Sequence, residues 1–328
     1  VHEQTLLRIP GRGMDYAFRL SYHSQLVYDG PLGWGWEHNY DRRVVPIGGG
    51  ALALQEGAGR FDVYSFDGTG FTPPAGRYTT LVSATTGVTI TDRYGFVQTY
   101  LALDDAVAPG RLASLADRHG NVMRFAYDAQ GRLETVTDTL GREIVYSYDG
   151  YDRIITVTDH TGRAVTLGYD ANDDLVSITT PVVTSTLNGN DFPVGKTTVF
   201  SYTSGLDDRR LNHNLTTIIA PNEVADGSRT PRTINTYGTE ELTFDRVIAQ
   251  SWGGGRSNAS GVPAGGDATL PYTTTIALDA PPGAASQTTL TDRGGNVTTL
   301  WHDSAGHRLR KRQVVDGQVW VTDHTYNA

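Results

Sequence analysis

Aspartate is the residue type in this chain with the most potential for chemistry. Two carboxylates at a suitable separation can hydrolyse a glycosidic bond. Asp170, Asn172 and Asp174 also follow the spacing of the first half of a calcium loop, but the glycine and the distal glutamate of such a loop are missing. Most aspartates begin turn-like sequences, in which the carboxylate accepts backbone hydrogen bonds. We therefore predict turn-forming aspartates, and neither a metal site nor catalytic residues.

Other reactive groups are scarce or isolated. The chain has no cysteine, so a thiolate ligand, a thiol nucleophile and a disulfide are excluded. Its nine histidines form no His-Glu-x-x-His motif, and His119 and His160 hold equivalent turn positions. No nucleophile elbow or phosphate loop is present. The sequence predicts no cofactor and no enzyme, and a carbohydrate-active enzyme on a repeat scaffold is the weakest alternative.

Tryptophan could provide a sugar-stacking surface if several rings were exposed, although packing is its commoner role. The tryptophans are Trp34, Trp36, Trp252, Trp301 and Trp320. We expect them to lie mainly in the core or between strands.

Charge and hydropathy limit the partners. With 27 basic and 36 acidic residues, the formal charge of -9 would repel a phosphate backbone. The dense basic run from His307 to Arg312 lies in a predicted strand-turn region and is interpreted as a solvated face. No apolar run approaches the roughly 20 residues that a membrane-spanning helix needs. We expect no nucleic acid partner and no membrane span.

A repeat organises the elements that carry these residues. Tyr127, Tyr148 and Tyr169 are each followed by aspartate and recur every 21 residues. Asp-x-x-Gly recurs at half that period, which is typical of a type I turn followed by a left-handed residue. These sequences begin at Asp117, Asp128, Asp138 and Asp159. Asp152 and Asp173 replace the glycine in two turns, and aspartate tolerates the left-handed conformation better than most residues.

The segments between turns have the length and alternation of β-strands. Apolar side chains alternate in Met123, Phe125 and Tyr127, whereas Leu133 and Val136 are three residues apart, which predicts a bulge or a twist. Further strands are predicted in the less regular region. They cover Thr197–Tyr202, Leu215–Ala220, Thr233–Tyr237, Phe244–Trp252 and Tyr272–Leu278, with further turns at Asp92/Gly95, Asp292/Gly295 and Asp303/Gly306 and loops at Gly253–Asp267 and Ala280–Ser286. No capped helix is predicted.

The segment from Tyr127 to Asp138, Tyr-Asp-Ala-Gln-Gly-Arg-Leu-Glu-Thr-Val-Thr-Asp, resembles the YD repeat of Rhs proteins, Tc-toxin shell subunits and teneurins. Leu20–Ser24 and Gly30–Trp36 resemble the stretch that often precedes these repeats in Rhs proteins. The resemblance implies a long, spirally wound antiparallel sheet that can close into a hollow cocoon around a toxic C-terminal segment, or that supports adhesion in teneurins. The Asp-Pro dipeptide often found near the self-cleavage site of toxin-enclosing members is absent from this sequence.

We therefore predict an all-β fold of tandem YD-repeat hairpins, a partial β-cocoon or shell. The expected regions are an N-terminal lead-in (1–89), regular repeats (90–181) and degenerate repeats with loop insertions in the same sheet (182–328), all within an excerpt of a longer chain. The expected role is a structural shell segment of a secreted or surface-exposed protein that encloses a toxin. The alternative is an extracellular adhesion or glycan-binding module, or a filament subunit.

The expected partners are other segments of the same polypeptide, identical copies, an enclosed toxin or a surface glycan. The expected site residues are structural and define the turns and a tyrosine ladder. They are Tyr127, Asp128, Gly131, Arg132, Asp138, Gly141, Tyr148, Asp149, Asp159, Gly162, Tyr169 and Asp170.

Overall fold

The computed structural model describes residues 1–57, 60–187, 189, 191–240, 244–252, 266–269, 272–273, 280–291 and 296–326. Their regular secondary structure is almost entirely β-strand, which confirms the predicted all-β class. The chain divides into two compact units, Val1–Lys196 and Thr197–Ala328. Among the described residues, no helix is long and apolar enough to cross a membrane.

The first unit begins with three small sheets. Their strands are β1 (His2–Ile9), β2 (Tyr16–Tyr22), β3 (Asp29–Gly30), β4 (Gly33–Trp34), β5 (Trp36–His38), β6 (Arg43–Pro46), β7 (Leu52–Glu56), β8 (Arg60–Phe66) and β9 (Phe71–Thr72), with a 3₁₀ turn at Gly48–Gly50. β1, β2 and β5 form one sheet, β3 and β4 a hairpin, and β6 to β9 a four-stranded sheet. We call strands β1 to β6 the N-terminal module.

The rest of the first unit is an antiparallel meander in which each strand pairs with the next along the chain. Its strands are β10 (Thr79–Ala84), β11 (Gly87–Asp92), β12 (Val97–Tyr100), β13 (Leu112–Ala116), β14 (Val122–Tyr127), β15 (Leu133–Thr137), β16 (Glu143–Tyr148), β17 (Ile154–Thr158), β18 (Ala164–Tyr169) and β19 (Leu175–Thr179). We call β10 to β19 the repeat array.

A bulge at each YD tyrosine explains the spacing of three. Ala126 pairs with Thr135 and Tyr127 with Leu133, which leaves Glu134 as an extra residue between them. The extra residue turns Leu133 towards the same face as Val136, and both side chains are buried. The same register shift occurs at the next two repeats. The predicted bulge is therefore confirmed, and it lets every strand of the array contribute to one apolar face.

The turns show how aspartate and glycine act together. In the turn at Asp128, Oδ1 accepts hydrogen bonds from the N–H groups of Gln130 (3.0 Å) and Arg132 (2.9 Å). Gly131 has a φ of 77°, a left-handed conformation that costs glycine little. Asp152 and Asp173 both have φ of 64°, so aspartate does adopt this conformation in the two turns without glycine.

The second unit repeats this design with longer connections. Its strands are β20 (Thr197–Tyr202), β21 (Leu215–Ile219), β22 (Thr233–Tyr237), β23 (Val247–Trp252), β24 (Gly266–Thr269), β25 (Tyr272–Thr273), β26 (Ser286–Thr291), β27 (Val297–His302), β28 (Arg308–Val315) and β29 (Gln318–Asp323). Arg209–Leu211 form a 3₁₀ turn, and Pro221–Ala225 form helix α1, which was not predicted because one turn is too short for a helical periodicity.

The same type of bulge recurs in the second unit. The same register shift follows Ser201, Thr236 and Trp301, at the positions just before Tyr202, Tyr237 and His302. The predicted strand at 244–252 begins at Val247. The predicted turn at Asp292/Gly295, residues 274–278 of a predicted strand and residues 253–265 of a predicted loop lie outside the described residues. The last two residues of that predicted loop, Gly266 and Asp267, belong to β24 instead.

Candidate functional site

The N-terminal module packs on the apolar face of the repeat array. Strand β2 buries every second side chain, beginning with Tyr16 and Phe18, because its alternation places one face inward. The Tyr16 and Tyr146 hydroxyls are 2.7 Å apart and form a buried hydrogen bond. Phe18 meets the Tyr146 ring edge-on at 5.7 Å between centroids, and Tyr40 lies 5.1 Å from Phe125. The array therefore does not expose this part of its aromatic face to solvent.

Backbone hydrogen bonds join the module to three places at one edge of the array. Val44 N–H donates to Gly110 O (2.8 Å), Ile154 N–H donates to Pro31 O (2.8 Å), and Trp34 N–H donates to Asp173 O (3.2 Å). Gly110 has a φ of 65°, and a Cβ atom there would collide with Val44 O. The two backbone segments are therefore so close at this contact that a side chain does not fit at Gly110.

The predicted site residues at this edge of the array form repeated charge clusters. Arg132 Nε donates to Asp128 Oδ2 (2.7 Å), and its Nη1 donates to Asp152 Oδ1 (2.7 Å). Its guanidinium lies 4.6 Å from the centroid of the Tyr148 ring. One repeat later, Arg153 bonds Asp149 (2.8 Å) and Asp173 (2.7 Å) and lies 4.7 Å above the Tyr169 ring. Each arginine therefore joins its own turn to the next repeat.

The three tyrosines of the predicted ladder each bind a backbone carbonyl of a neighbouring strand. The hydroxyls of Tyr127, Tyr148 and Tyr169 donate to the carbonyl oxygens of Leu112 (2.7 Å), Leu133 (2.8 Å) and Ile154 (2.7 Å), respectively. Burial raises the pKa of all three phenols, since the charged form would lose its hydration. Asp170 accepts the N–H groups of Asn172 and Asp174, so the resemblance to a calcium loop is explained by a turn.

The opposite edge carries the other predicted turn residues. Asp138 bonds Arg142 Nε (2.7 Å), and Asp159 bonds Arg163 Nε (2.7 Å), with both carboxylates fully buried. Burial alone would raise the pKa of Asp159, but hydrogen bonds from Thr161 and Arg163 outweigh it and lower the pKa to about 2. Gly141 and Gly162 have φ of 78° and 83°. These carboxylates act as turn acceptors in their charged form.

A cleft of about 410 Å³ lies between the module's β3–β4 hairpin and the array. Asp41 is buried at this cleft, where its oxygens accept hydrogen bonds from the Tyr28 hydroxyl (2.6 Å) and from Arg111 (2.5 Å). Burial alone would raise the pKa of Asp41, but the neighbouring His38 and Arg111 and the two hydrogen bonds keep it lowered.

The cleft lacks a group prepared for acid–base or nucleophilic chemistry. Burial lowers the pKa of His38 to about 4, and its Nδ1 accepts the Tyr40 N–H (3.3 Å). Asp41 is held by a cation and a phenol, and Arg132 and Arg153 are each held between two carboxylates. Within the described part of the chain, no group of three or more His, Asp or Glu residues could hold a metal ion. The arrangement suits the fastening of one sheet to another.

Sequence reasoning missed the residues that fasten the module. Arg111 could have been found, because Arg111-Leu112 precedes Arg132-Leu133 by the repeat period of 21 residues. No local pattern marks Asp41, because its role depends on tertiary packing against a strand 70 residues away.

Comparison with known families agrees with this geometry. Residues 88–202 match the family model described as Teneurin YD-shell, and residues 1–64 match a domain of unknown function, DUF6531. These matches bear out the predicted resemblance to Rhs/YD-repeat proteins. The match to the YD-shell model supports a structural role as part of a repeat shell. The DUF6531 family model covers the strands of the N-terminal module, and the YD-shell family model covers the repeat array from β11 onward. No protein with a curated description matches the chain.

Several solved structures resemble the chain weakly. TcdB2-TccC3-Cdc42 is 12% identical over 82% of this chain and 17% of that chain, with a TM-score of 0.32. The Tc holotoxin pore of Photorhabdus luminescens is 12% identical over 81% and 19%, with a TM-score of 0.18. A porin-like protein from Bacteroides uniformis is 14% identical over 80% and 96%, with a TM-score of 0.22. The chain spans under a fifth of the length of these Tc toxin chains.

Proposed function

We propose that this chain is a wall segment of an extracellular or surface-exposed YD-repeat shell, and that the shell encloses a polypeptide. The observation that carries the proposal is the match of residues 88–202 to the YD-shell family, over a sheet that presents one continuous apolar face. Such a face requires a cover, and the N-terminal module supplies it at Phe125 and Tyr146.

The cluster geometry supports a structural role for the predicted residues. Asp128, Arg132 and Asp152 connect neighbouring repeats, while Tyr148 spans a hairpin through its hydroxyl. Interactions of this kind stabilise a wall, and they leave the charged groups engaged and unsuited to catalysis. We accordingly propose no enzymatic activity for this segment.

Protease protection tests enclosure on the native full-length polypeptide. An intact shell should protect an enclosed segment from a protease, and the same segment should be cut after the shell is opened with denaturant. Enclosure would be refuted if every segment of the polypeptide were cut at the same rate before and after the shell is opened. That result would not contradict the proposal that this chain folds as a wall segment.

A further inference from the structure

Three arginines occupy equivalent positions in successive repeats of the array. We call each of these positions a rung. Arg111, Arg132 and Arg153 are 21 residues apart, and each precedes the buried Leu or Ile that begins a strand. At two of the rungs the array itself supplies both carboxylates. Arg132 pairs with Asp128 of its own turn and with Asp152, which directly precedes the next rung. Arg153 pairs in the same way with Asp149 and Asp173.

At the remaining rung, that of Arg111, the array supplies neither of these two carboxylates. Leu101 N–H donates to Arg111 O (2.8 Å) as Asp128 N–H donates to Arg132 O (2.9 Å), so Leu101 holds the position of the turn aspartate. Gly131 precedes Arg132 and so holds the second position. A carboxylate cannot be placed there easily, since a Cβ atom on Gly131 would lie 2.5 Å from a carbonyl oxygen of the neighbouring loop.

The N-terminal module supplies the missing carboxylate. Asp41 Oδ1 accepts a hydrogen bond from Arg111 Nη1 at 2.5 Å, and its other oxygen accepts the Tyr28 hydroxyl. Backbone hydrogen bonds on both sides of Arg111 fix the register, from Val44 N–H to Gly110 O (2.8 Å) and from Leu112 N–H to Arg42 O (3.2 Å). The carboxylate is almost completely buried, so its charge depends on this partner.

We propose that the Asp41–Arg111 pair selects the rung on which the N-terminal module docks, with Asp41 as the residue that determines this specificity. Asp41 cannot pair in the same way at the other two rungs, because Arg132 and Arg153 already hold two carboxylates each and a third buried carboxylate would be repelled. Docking at Arg111 instead pairs two charges that would otherwise be uncompensated. This inference concerns how the chain assembles and is independent of what the wall encloses.

Hydrogen exchange of the full chain tests the proposal, with the amides of β2 as the reporter of docking and those of β27 and β28 as an internal control. Asp41→Asn should speed exchange in β2 by at least tenfold and leave the control strands unchanged. Unchanged exchange in β2 would overturn the proposal.

A second pair of variants separates selection of the rung from ordinary packing. Leu101→Asp gives Arg111 a carboxylate from its own turn, which competes with Asp41, whereas Leu101→Asn makes the same steric change without charge. We expect β2 to exchange at least tenfold faster in Leu101→Asp than in Leu101→Asn, while β14 and β15 stay protected in both. Equal exchange in the two variants would overturn the proposal, even if Asp41→Asn failed to fold.

Discussion

The buried hydroxyl pair of Tyr16 and Tyr146 gives a sharp test of the module–array contact. The oxygens are 2.7 Å apart, and both side chains are at most 3% exposed. Changing either residue to phenylalanine leaves the other hydroxyl buried without its partner, which costs about 1–3 kcal/mol. The double change removes both polar groups and should be nearly neutral. The free-energy costs of the two single changes should therefore not add. A double variant that costs less than the sum of the single variants shows that the two hydroxyls act on each other.

Hydrogen exchange of the β2 amides measures this coupling locally. A cost of about 1–3 kcal/mol corresponds to opening that is roughly 5- to 150-fold more frequent in each single variant. Tyr16→Phe/Tyr146→Phe should return exchange close to the wild-type rate. Tyr151→Phe is the control, because this side chain is exposed. If the costs of the two single changes simply add in the double variant, the hydroxyls do not depend on each other and the assigned contact is wrong.

Three further predictions follow from the turns and the ladder. Gly131→Ala should lower the melting temperature more than Gly141→Ala, because both glycines are left-handed but a Cβ atom meets another backbone only at Gly131; equal losses would refute this difference. Stability should fall as the pH drops from about 4 to 2, because the lowered pKa of Asp159 favours its charged form in the folded state, and Asp159→Asn should flatten that part of the melting profile. Tyr148→Phe should cost about 1 kcal/mol in urea unfolding through its lost hydroxyl bond, against no measurable loss for Tyr151→Phe.

Sequence alone was sufficient for the local architecture. Asp128 and Gly131 determine a turn through interactions within five residues, so their types and spacing carry the necessary information. Alternation and the spacing of Leu133 and Val136 likewise gave the strands and the bulge. Turns, strands and bulges depend on residues that are close together in the sequence. In a repeat, the same local pattern occurs several times and is therefore easy to recognise.

Contacts between distant segments could not be obtained in this way. Tyr16 meets Tyr146 and Asp41 meets Arg111 across 130 and 70 residues, and no repeat in the sequence records either contact. Both depend on how the module docks. The array offers several similar rungs, and the carboxylates that surround each arginine distinguish them.

The regions of the chain illustrate the same limit. The predicted change from regular to degenerate repeats at residue 181 follows the loss of the sequence motif, whereas the structure divides after Lys196. A hydrogen bond from Thr180 N–H to Lys196 O (3.0 Å) and a bridge between Val183 and Phe192 close the intervening loop on the first unit. The three predicted sequence regions remain a prediction about the repeat type.

Cryo-electron microscopy of the native full-length assembly tests the central claim most directly. The account predicts a closed, hollow β-shell in which this segment forms part of the wall, with density inside. Copies joined edge to edge in a regular filament or coat, with no enclosed volume, would contradict it.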